Sequence, residues 1–274
     1  MKILNKKILG EAAGSRIVKV DIQAPHIARS AKPGQFVALM VSKEGERIPL
    51  TIVDKDISKG AITLIFQELG LTTKLLGRLK KGDFLYALAG PLGHATEIKK
   101  YGKVILIGGG VGIAEIYPVA KAFKDAENRV TTILGVRTKG LLIMEKELKK
   151  VSDEFYVTTD DGSYGNKGFT TDILKELVSK DRYDLVYAVG PIPMMMKASS
   201  ITKASATKTI VSLNAIMVDA TGMCGCCRVE VGGKMKFSCI DGPEFDASLI
   251  DWDNLVKRNK VYPDKEAHIC KLKL

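Results

Sequence analysis

The amino-acid sequence predicts a chain of three parts, namely a small antiparallel β-barrel, an α/β domain with a parallel sheet, and a small cysteine-rich lobe. Short apolar runs separated by turn residues predict the barrel over residues 1–97. Strands that alternate with helices predict the α/β domain over residues 98–210. All five cysteines lie in the last quarter of the chain, which sets residues 211–274 apart as the third part.

The barrel prediction depends on apolar runs of strand length. These runs are Ile17–Ile22, Phe36–Val41, Ile62–Phe66 and Phe84–Ala89. Turn residues separate them, as in Lys32-Pro33-Gly34 and Lys81-Gly82-Asp83. This spacing is typical of antiparallel strands joined by short connections. One short helix is predicted within the barrel, over Thr72–Leu79.

The α/β prediction depends on strands and helices that alternate after Tyr101. The predicted strands are Lys103–Ile107, Val130–Gly135, Glu154–Thr159 and Leu185–Val189. The predicted helices are Ile113–Lys124, Met144–Lys150, Phe169–Ser179 and Ile192–Ala204. Because such crossovers place successive strands side by side and parallel, we expect a doubly wound sheet.

Composition narrows the class of protein. Lysine and arginine total 42 against 31 acidic residues, a net charge of +11. The excess fits a solvated surface, an acidic partner or phosphate-bearing cofactors, but no basic run is interleaved with aromatic residues, so nucleic acid is not an expected partner. No apolar run is long enough to span a membrane, and the first residues lack a signal-peptide pattern. We therefore expect a cytoplasmic protein without membrane contact.

Two glycine motifs of the α/β domain predict a nucleotide site. Gly108-Gly109-Gly110-Val111-Gly112 joins a strand to a helix, where glycines let the backbone approach a pyrophosphate and the helix N-terminus stabilises its charge. A tight turn without a ligand has the same composition. Gly190-Pro191 follows the fourth strand, at the carboxyl edge where such sheets bind ligands. Arg137, after the second strand, can accept a 2′-phosphate or be a solvated loop residue.

Two barrel motifs are candidates for a flavin nucleotide. Arg47-Ile48-Pro49-Leu50-Thr51 begins an extended strand, with a guanidinium for phosphate and a hydroxyl that can reach a ring nitrogen. Gly70-Leu71-Thr72-Thr73-Lys74 begins the predicted helix, a second place for pyrophosphate. On spacing alone, each motif fits ordinary turn chemistry equally well.

The cysteine segment gives the most specific pattern. Plant-type [2Fe–2S] sites use Cys-x4-Cys-x2-Cys and a later cysteine. Asp219-x4-Cys224-x2-Cys227-x11-Cys239 has this spacing, with an aspartate in the first place. Cys226 falls between two ligands and is not expected to bind the same cluster. Structural zinc is the alternative, since it also takes four ligands of this kind. Cys270 can replace Asp219 as the fourth ligand only if the tail folds back, and we expect it not to be a ligand.

Together these motifs resemble the ferredoxin–NADP reductase superfamily, in the branch of the dihydroorotate dehydrogenase B electron-transfer subunit. The resemblance covers nearly the whole chain. It implies that Arg47–Thr51 and Gly70–Lys74 bind FAD and that both glycine motifs bind NAD(H), with NAD favoured over NADP. The implied FAD residues are Arg47, Pro49, Leu50, Thr51, Phe66, Gly70, Thr72, Thr73 and Lys74. The implied NAD(H) residues are Gly108, Gly109, Gly110, Gly112, Gly190 and Pro191.

Within that branch, Asp219 and the segment Asp246–Asp253 resemble the small subunits of NADH-dependent reduced ferredoxin:NADP⁺ oxidoreductases. The ligand set of that group implies a [2Fe–2S] cluster held by Asp219, Cys224, Cys227 and Cys239. One residue departs from the pattern of the superfamily, because Glu115 stands where relatives commonly have proline. A carboxylate there is unfavourable beside a phosphate. The start of the helix is therefore not expected to have the same local geometry as in those relatives.

The resemblance implies an electron-transfer subunit that moves electrons between NAD(H), FAD and the [2Fe–2S] cluster. Its implied partner is a larger flavin and [4Fe–4S] subunit that binds NADP(H), in a heterodimer that bifurcates electrons and reaches ferredoxin. A dihydroorotate dehydrogenase B subunit and a stand-alone reductase are alternative enzymes. A zinc-stabilised regulatory module that binds nucleotide is the alternative of another class.

Overall fold

The fold is described from a computed structural model, which covers residues 1–12 and 14–262. Its first part is an antiparallel sheet of six strands in the order β1-β2-β5-β4-β3-β6. The strands are β1 (Ile3–Ala12), β2 (Ser15–Gln23), β3 (Phe36–Met40), β4 (Ile48–Asp56), β5 (Ala61–Gln67) and β6 (Ala87–Leu92). The helices are α1 (Pro25–Ser30) and α2 (Leu71–Arg78).

Hydrogen bonds join the residues just before β1 to those just before β6. The amino group of Met1 donates to the Leu85 carbonyl at 3.0 Å, and the Leu85 amide donates to the Met1 carbonyl at 2.8 Å. Lys2 and Phe84 form an antiparallel bridge beside them. Inward-facing residues of the strands, such as Val37 and Leu64, pack with Leu76 of α2 into one buried core.

The second part is a parallel sheet with helices on both faces, as predicted. Its parallel strands are β7 (Lys103–Gly109), β8 (Arg129–Val136), β9 (Glu154–Thr159), β10 (Asn166–Lys167), β11 (Leu185–Val189) and β12 (Thr209–Ser212). Its helices are α3 (Ile113–Asp125), α4 (Glu145–Lys150), α5 (Thr170–Lys180) and α6 (Ile192–Ala204). Helices α3 and α4 cover one face, and α5 and α6 cover the other.

The third part joins the second sheet instead of standing apart from it. It contains the hairpin of β13 (Arg228–Val231) and β14 (Lys234–Phe237), the strand β15 (Glu244–Asp246), and the helices α7 (Ser238–Asp241) and α8 (Trp252–Asn259). Strand β15 pairs antiparallel with β12, so the second sheet has the order β10-β9-β8-β7-β11-β12-β15. The third part and the α5–α6 face therefore share one core, which contains Cys227 and Cys239.

Several predicted boundaries differ from the structure. Strand β1 was not predicted, because its apolar residues do not alternate regularly with polar ones and most of the strand is partly or fully exposed at the edge of the sheet. The strand predicted over Phe84–Ala89 begins only at Ala87, and the Phe84 side chain is exposed. Met144 precedes α4 in a left-handed conformation. Within the described residues, no helix is both long and apolar enough to cross a membrane.

Candidate functional site

The structure brings the two predicted glycine motifs together. Gly108 ends up beside Val189 because β7 and β11 are parallel neighbours in register. A Cβ built on Gly190 would lie 3.0 Å from the Gly109 Cα and 2.8 Å from the Met194 Cε. Both motifs therefore lie at the carboxyl edge of the sheet, where doubly wound folds bind nucleotides. Arg137 is exposed directly after β8, at the same edge.

The glycines of the loop are required by close backbone packing. A Cβ on Gly112 would lie 2.7 Å from the Val189 carbonyl oxygen, and one on Gly109 would lie 2.7 Å from the Met194 Sδ. Gly110 has a φ of +57° and open space around its Cα, so the chain turns there with its backbone uncovered. Such a loop, followed at once by α3, can accept a phosphate on its backbone amides.

The flavin candidates of the first sheet lie on β4 and before it. Arg47 is an exposed residue directly before β4, and its guanidinium forms an ion pair with the Asp219 carboxylate. Pro49 and Leu50 are half-buried within the strand. The Thr51 hydroxyl donates to Oε2 of Glu115 in the first turn of α3, at 3.0 Å.

The candidates near α2 have different surroundings. The Thr73 side chain accepts hydrogen bonds from the Leu69 and Gly70 amides and so caps the start of α2. This capping role accounts for a threonine at this position without a ligand. The Thr72 hydroxyl donates to Oε2 of Glu46 at 2.6 Å. Lys74 is half-buried on the same helix. Phe66 is fully buried in the core of the first sheet, so its side chain does not line an open site.

Two of the predicted metal ligands lie side by side. The Sγ atoms of Cys227 and Cys239 are 3.2 Å apart, and both side chains are buried. Burial, followed by the neighbouring Cys227 thiol, raises the pKa of Cys239 to about 12. Cys224 is exposed, and a hydrogen bond from the Cys226 backbone lowers its pKa. A bound metal would remove the thiol protons at such a site outright.

Asp219 has other partners in the structure. One carboxylate oxygen pairs with Arg47, and the other accepts from the Thr221 hydroxyl and from the Thr221 amide at 3.3 Å. Among the described residues, no three carboxylate, thiol or imidazole side chains converge closely enough to hold a metal ion. The chemistry of the donor set still fits a cluster, since two buried thiols are paired and Gly222 and Gly225 have positive φ in the loop around them. Cys270 lies outside the described residues.

Sequence reasoning missed a network of carboxyl groups between the two sheets. Burial raises the pKa of Glu115, while hydrogen bonds from Ser212 and Thr51 oppose that rise. Glu244 stands opposite Ser212 in the β12–β15 pair and accepts from the Tyr187 hydroxyl at 2.7 Å. Burial raises the pKa of Glu244 to about 7 against the opposing hydrogen bonds, and the charge of Glu115 adds to the rise. The only sign of this network in the sequence was Glu115 itself, which stands where relatives commonly have proline.

Residues 106–200 match the oxidoreductase NAD-binding domain, and residues 214–251 match the iron–sulfur cluster binding domain of dihydroorotate dehydrogenase B. A Thermotoga maritima protein named as a homologue of the electron transfer subunit of dihydroorotate dehydrogenase B (NAD(+)) is 47% identical. That alignment covers 89% of this chain and 86% of the relative.

Two solved structures show the same fold at different distances. A chain from the structure of NADH-dependent reduced ferredoxin-NADP oxidoreductase, a study of flavin-based electron bifurcation, is 43% identical with a TM-score of 0.93. The match covers 99% of this chain and 96% of that one. Ferredoxin-NADP⁺ reductase from Plasmodium falciparum has a TM-score of 0.60 at 15% identity over 74% of this chain and 91% of that one, which shows the fold alone.

The fold, the nucleotide edge and the cysteine segment define a subunit of an oxidoreductase with an NAD-binding domain and an iron–sulfur domain. The chain belongs to the family of the electron transfer subunits of dihydroorotate dehydrogenase B and their homologues. The resemblance drawn from the sequence motifs is thereby confirmed.

Proposed function

We propose that this chain moves electrons between NAD(H), FAD and a [2Fe–2S] cluster within an electron-bifurcating NADH-dependent reduced ferredoxin:NADP⁺ oxidoreductase. The observation that carries the proposal is the match along nearly the whole length of both chains to the solved structure of that enzyme. Asp219, which stands in the first ligand position before Cys224, Cys227 and Cys239, also supports the proposal. The small subunits of these oxidoreductases are the group that the Asp-Cys-Cys-Cys pattern resembles.

NAD(H) would bind at the carboxyl edge of the parallel sheet. The loop Gly108–Gly112 and the start of α3 offer uncovered backbone amides to the pyrophosphate. Gly190 and Pro191 pack closely against Gly109 of that loop. The assigned residues are Gly108, Gly109, Gly110, Gly112, Gly190 and Pro191.

FAD would bind the first sheet, which we propose to be a barrel over residues 1–97. Arg47 supplies a phosphate-binding guanidinium, and Thr51 points its hydroxyl toward α3 of the nucleotide domain. The N-terminus of α2 after Gly70 offers further amides. The assigned residues are Arg47, Pro49, Leu50, Thr51, Gly70, Thr72, Thr73 and Lys74. Phe66, whose side chain is buried, would support this site from the core of the first sheet. The nucleotide domain and cluster lobe would take residues 98–210 and 211–274.

The cluster would be held by Asp219, Cys224, Cys227 and Cys239. The buried pair Cys227 and Cys239 is attached to the core shared with α6, so these thiols have a rigid support. Arg47 contacts Asp219, which places the flavin candidates and the cluster segment next to each other. Bound FAD and a [2Fe–2S] centre together supply the conversion between two-electron and one-electron transfer, and the chain orients them and excludes water.

The partner in this proposal is a larger flavin and [4Fe–4S] subunit that binds NADP(H). The test is to purify the chain from its native source without oxygen and to identify its cofactors and companions. The proposal expects a brown-yellow complex with FAD, two irons per copy of this chain in the cluster lobe, and a partner near twice its 29.8 kDa. A colourless zinc protein would contradict it.

The electron transfer subunit of dihydroorotate dehydrogenase B itself is the second candidate. The names of several relatives favour it, including one from Fusobacterium nucleatum at 31% identity. The same purification separates the two candidates, because a TIM-barrel dihydroorotate dehydrogenase would then be the companion. Dihydroorotate-dependent reduction of NAD⁺ by the complex would decide for this second function.

A further inference from the structure

The carboxyl groups of Glu115 and Glu244 have a feature that electron transfer alone does not explain. They approach Ser212 from two elements, α3 and β15, between the two sheets. Both carboxyl groups accept hydrogen bonds from hydroxyl groups. The donors to Glu115 are Thr51 and Ser212, and the donors to Glu244 are Thr96 and Tyr187. Among the described residues, neither carboxylate forms a salt bridge. Two adjacent carboxylates without a cation readily retain a proton.

The chemistry of the proposed function requires a group that exchanges protons. Oxidation of NADH by one-electron acceptors releases NAD⁺, two electrons and one proton, and the reverse reaction consumes that proton. The hydride carries two electrons together with its hydrogen nucleus, whereas a one-electron carrier takes electrons alone. One proton must therefore leave or enter the site between the hydride step and the single-electron steps.

We propose that Glu115 is a positioning residue that exchanges this proton through the hydroxyl of Thr51. Thr51 lies on the strand assigned to FAD, and its hydroxyl already donates to Glu115 at 3.0 Å. With a flavin on β4, the oxygen of Thr51 would accept a proton from the site while its own proton passes to the carboxylate of Glu115. This inference rests on the proposed function, because it needs a flavin on β4.

The surroundings of Glu115 suit a group that takes up a proton. Burial raises its pKa above the usual carboxyl range. The titratable groups that face the pair are Tyr187, on β11, and Tyr101, before β7. Burial raises the pKa of both phenols, so neither adds a charge beside the carboxyl groups. The negative charge of Glu115 also raises the pKa of Glu244, so a proton is retained within the pair.

The experiment separates the two half-reactions by rapid mixing of the purified, FAD-loaded chain. NADH reduces the flavin in the first mixing step, and ferricyanide oxidises it in the second, with two ferricyanides reduced and one proton released per NADH. For Glu115→Gln we expect flavin reduction within about twofold of wild type. We expect flavin reoxidation to be slowed about tenfold or more and to lose its pH dependence, because an amide cannot take up the proton.

Thr51→Val is a second test variant, since it removes the hydroxyl link and should slow the same step. Glu145→Gln is the matched control, because Glu145 is also a half-buried carboxylate that accepts from a hydroxyl, that of Tyr164 at 2.8 Å, but on α4. It should leave both steps unchanged. Equal rates of reoxidation in Glu115→Gln and wild type, or equal slowing of both steps, would overturn the inference.

A measurement without turnover tests the same residue. The infrared band of protonated carboxyl groups in the full chain, followed from about pH 5 to about pH 9, should lose intensity in Glu115→Gln. The band should be unchanged in Glu145→Gln. An identical band in both variants would show that Glu115 holds no proton. Failure of the wild-type chain to bind FAD or to be reduced by NADH would instead contradict the proposed function.

Discussion

At the scale of single residues, Asp219 carries the most specific part of the proposal. Its carboxylate contacts Arg47 before β4 and Thr221 in the cysteine segment, so it joins the first sheet to the lobe. A carboxylate retains the charge of a thiolate ligand while being harder and less covalent. As a ligand, Asp219 would therefore tune the cluster and at the same time position it against Arg47.

Replacing Asp219 by cysteine tests this role. Asp219→Cys should retain a [2Fe–2S] absorption spectrum, because four thiolates also hold the cluster, but should change its reduction potential and EPR g-values. Potentiometry and EPR of the reduced protein measure both. Cys226→Ser is the matched control and should change neither, since Cys226 lies between two ligands. An unchanged spectrum and potential in Asp219→Cys would exclude Asp219 as a ligand.

At the scale of elements, the connection between β7 and α3 is held by contacts that only glycine allows. The neighbours of the two glycines differ in kind. Gly112 faces a backbone carbonyl, whereas Gly109 faces the flexible end of Met194 and, at 2.9 Å from a Cβ, the Cδ of the Pro191 ring. A backbone carbonyl in the middle of a sheet cannot move aside, whereas a methionine side chain can. Substitutions at these two sites should therefore separate folding from binding.

Gly112→Ala should lower the free energy of unfolding by about 1–3 kcal/mol, as overpacking does. Gly109→Ala should instead raise the KM for NADH severalfold with a smaller loss of stability, because its loop is displaced at the proposed pyrophosphate site. Urea unfolding and NADH:ferricyanide kinetics measure the two effects. Adding Met194→Ala to Gly109→Ala should restore part of the affinity, and no such recovery would show that the Pro191 ring is the obstacle instead of Met194.

The elements that sequence predicted best are those with the strongest physical signals. The bounds of β11 and α6 agree with the prediction, because a fully buried apolar run is followed by Gly190-Pro191 and then by an apolar helix. Strand β15 was missed because three residues in a charged segment carry no periodic pattern. It becomes a strand only because β12 offers an open edge, which is a property of the folded sheet.

The candidate site was predictable where local sequence patterns determine it and not where the packing of one sheet against the other does. The glycine motifs came together as expected, since parallel neighbours align their carboxyl ends. The contacts of Glu115 with Thr51 and of Arg47 with Asp219 were not predictable, because each joins residues more than sixty positions apart. Such contacts depend on how one sheet packs against another, and local pattern contains no information about that packing.

At the scale of the whole molecule, the side chain of Glu244 connects β15, β11 and the segment between the two sheets through hydrogen bonds. It belongs to β15, and it accepts from Tyr187 on β11 and from Thr96 in the connection between the two sheets. A proton on this carboxyl is bound more tightly in the folded chain, where its pKa is about 7, than in the unfolded chain. Folding stability should therefore depend on pH through this residue.

The sign of that dependence follows from the raised pKa. The contribution of Glu244 is full below about pH 4.5, and it is lost as the pH rises through about 7. We expect the free energy of unfolding to fall by about 1–3 kcal/mol over that interval, with allowance for partial exposure of the carboxyl. Urea unfolding across this pH range measures the change. Glu244→Gln should flatten the curve, and a curve as steep as that of wild type would contradict the assignment.

The pairing of β15 with β12 has a consequence for how such chains can be recombined. A chimera that joins two relatives between β6 and β7 exchanges one complete sheet for another. A junction in the turn before Pro243 divides a single sheet between two parents, so a mismatch there would leave β12 with an unpaired edge. The lobe and the nucleotide domain should therefore be inherited together, while the first sheet can be exchanged.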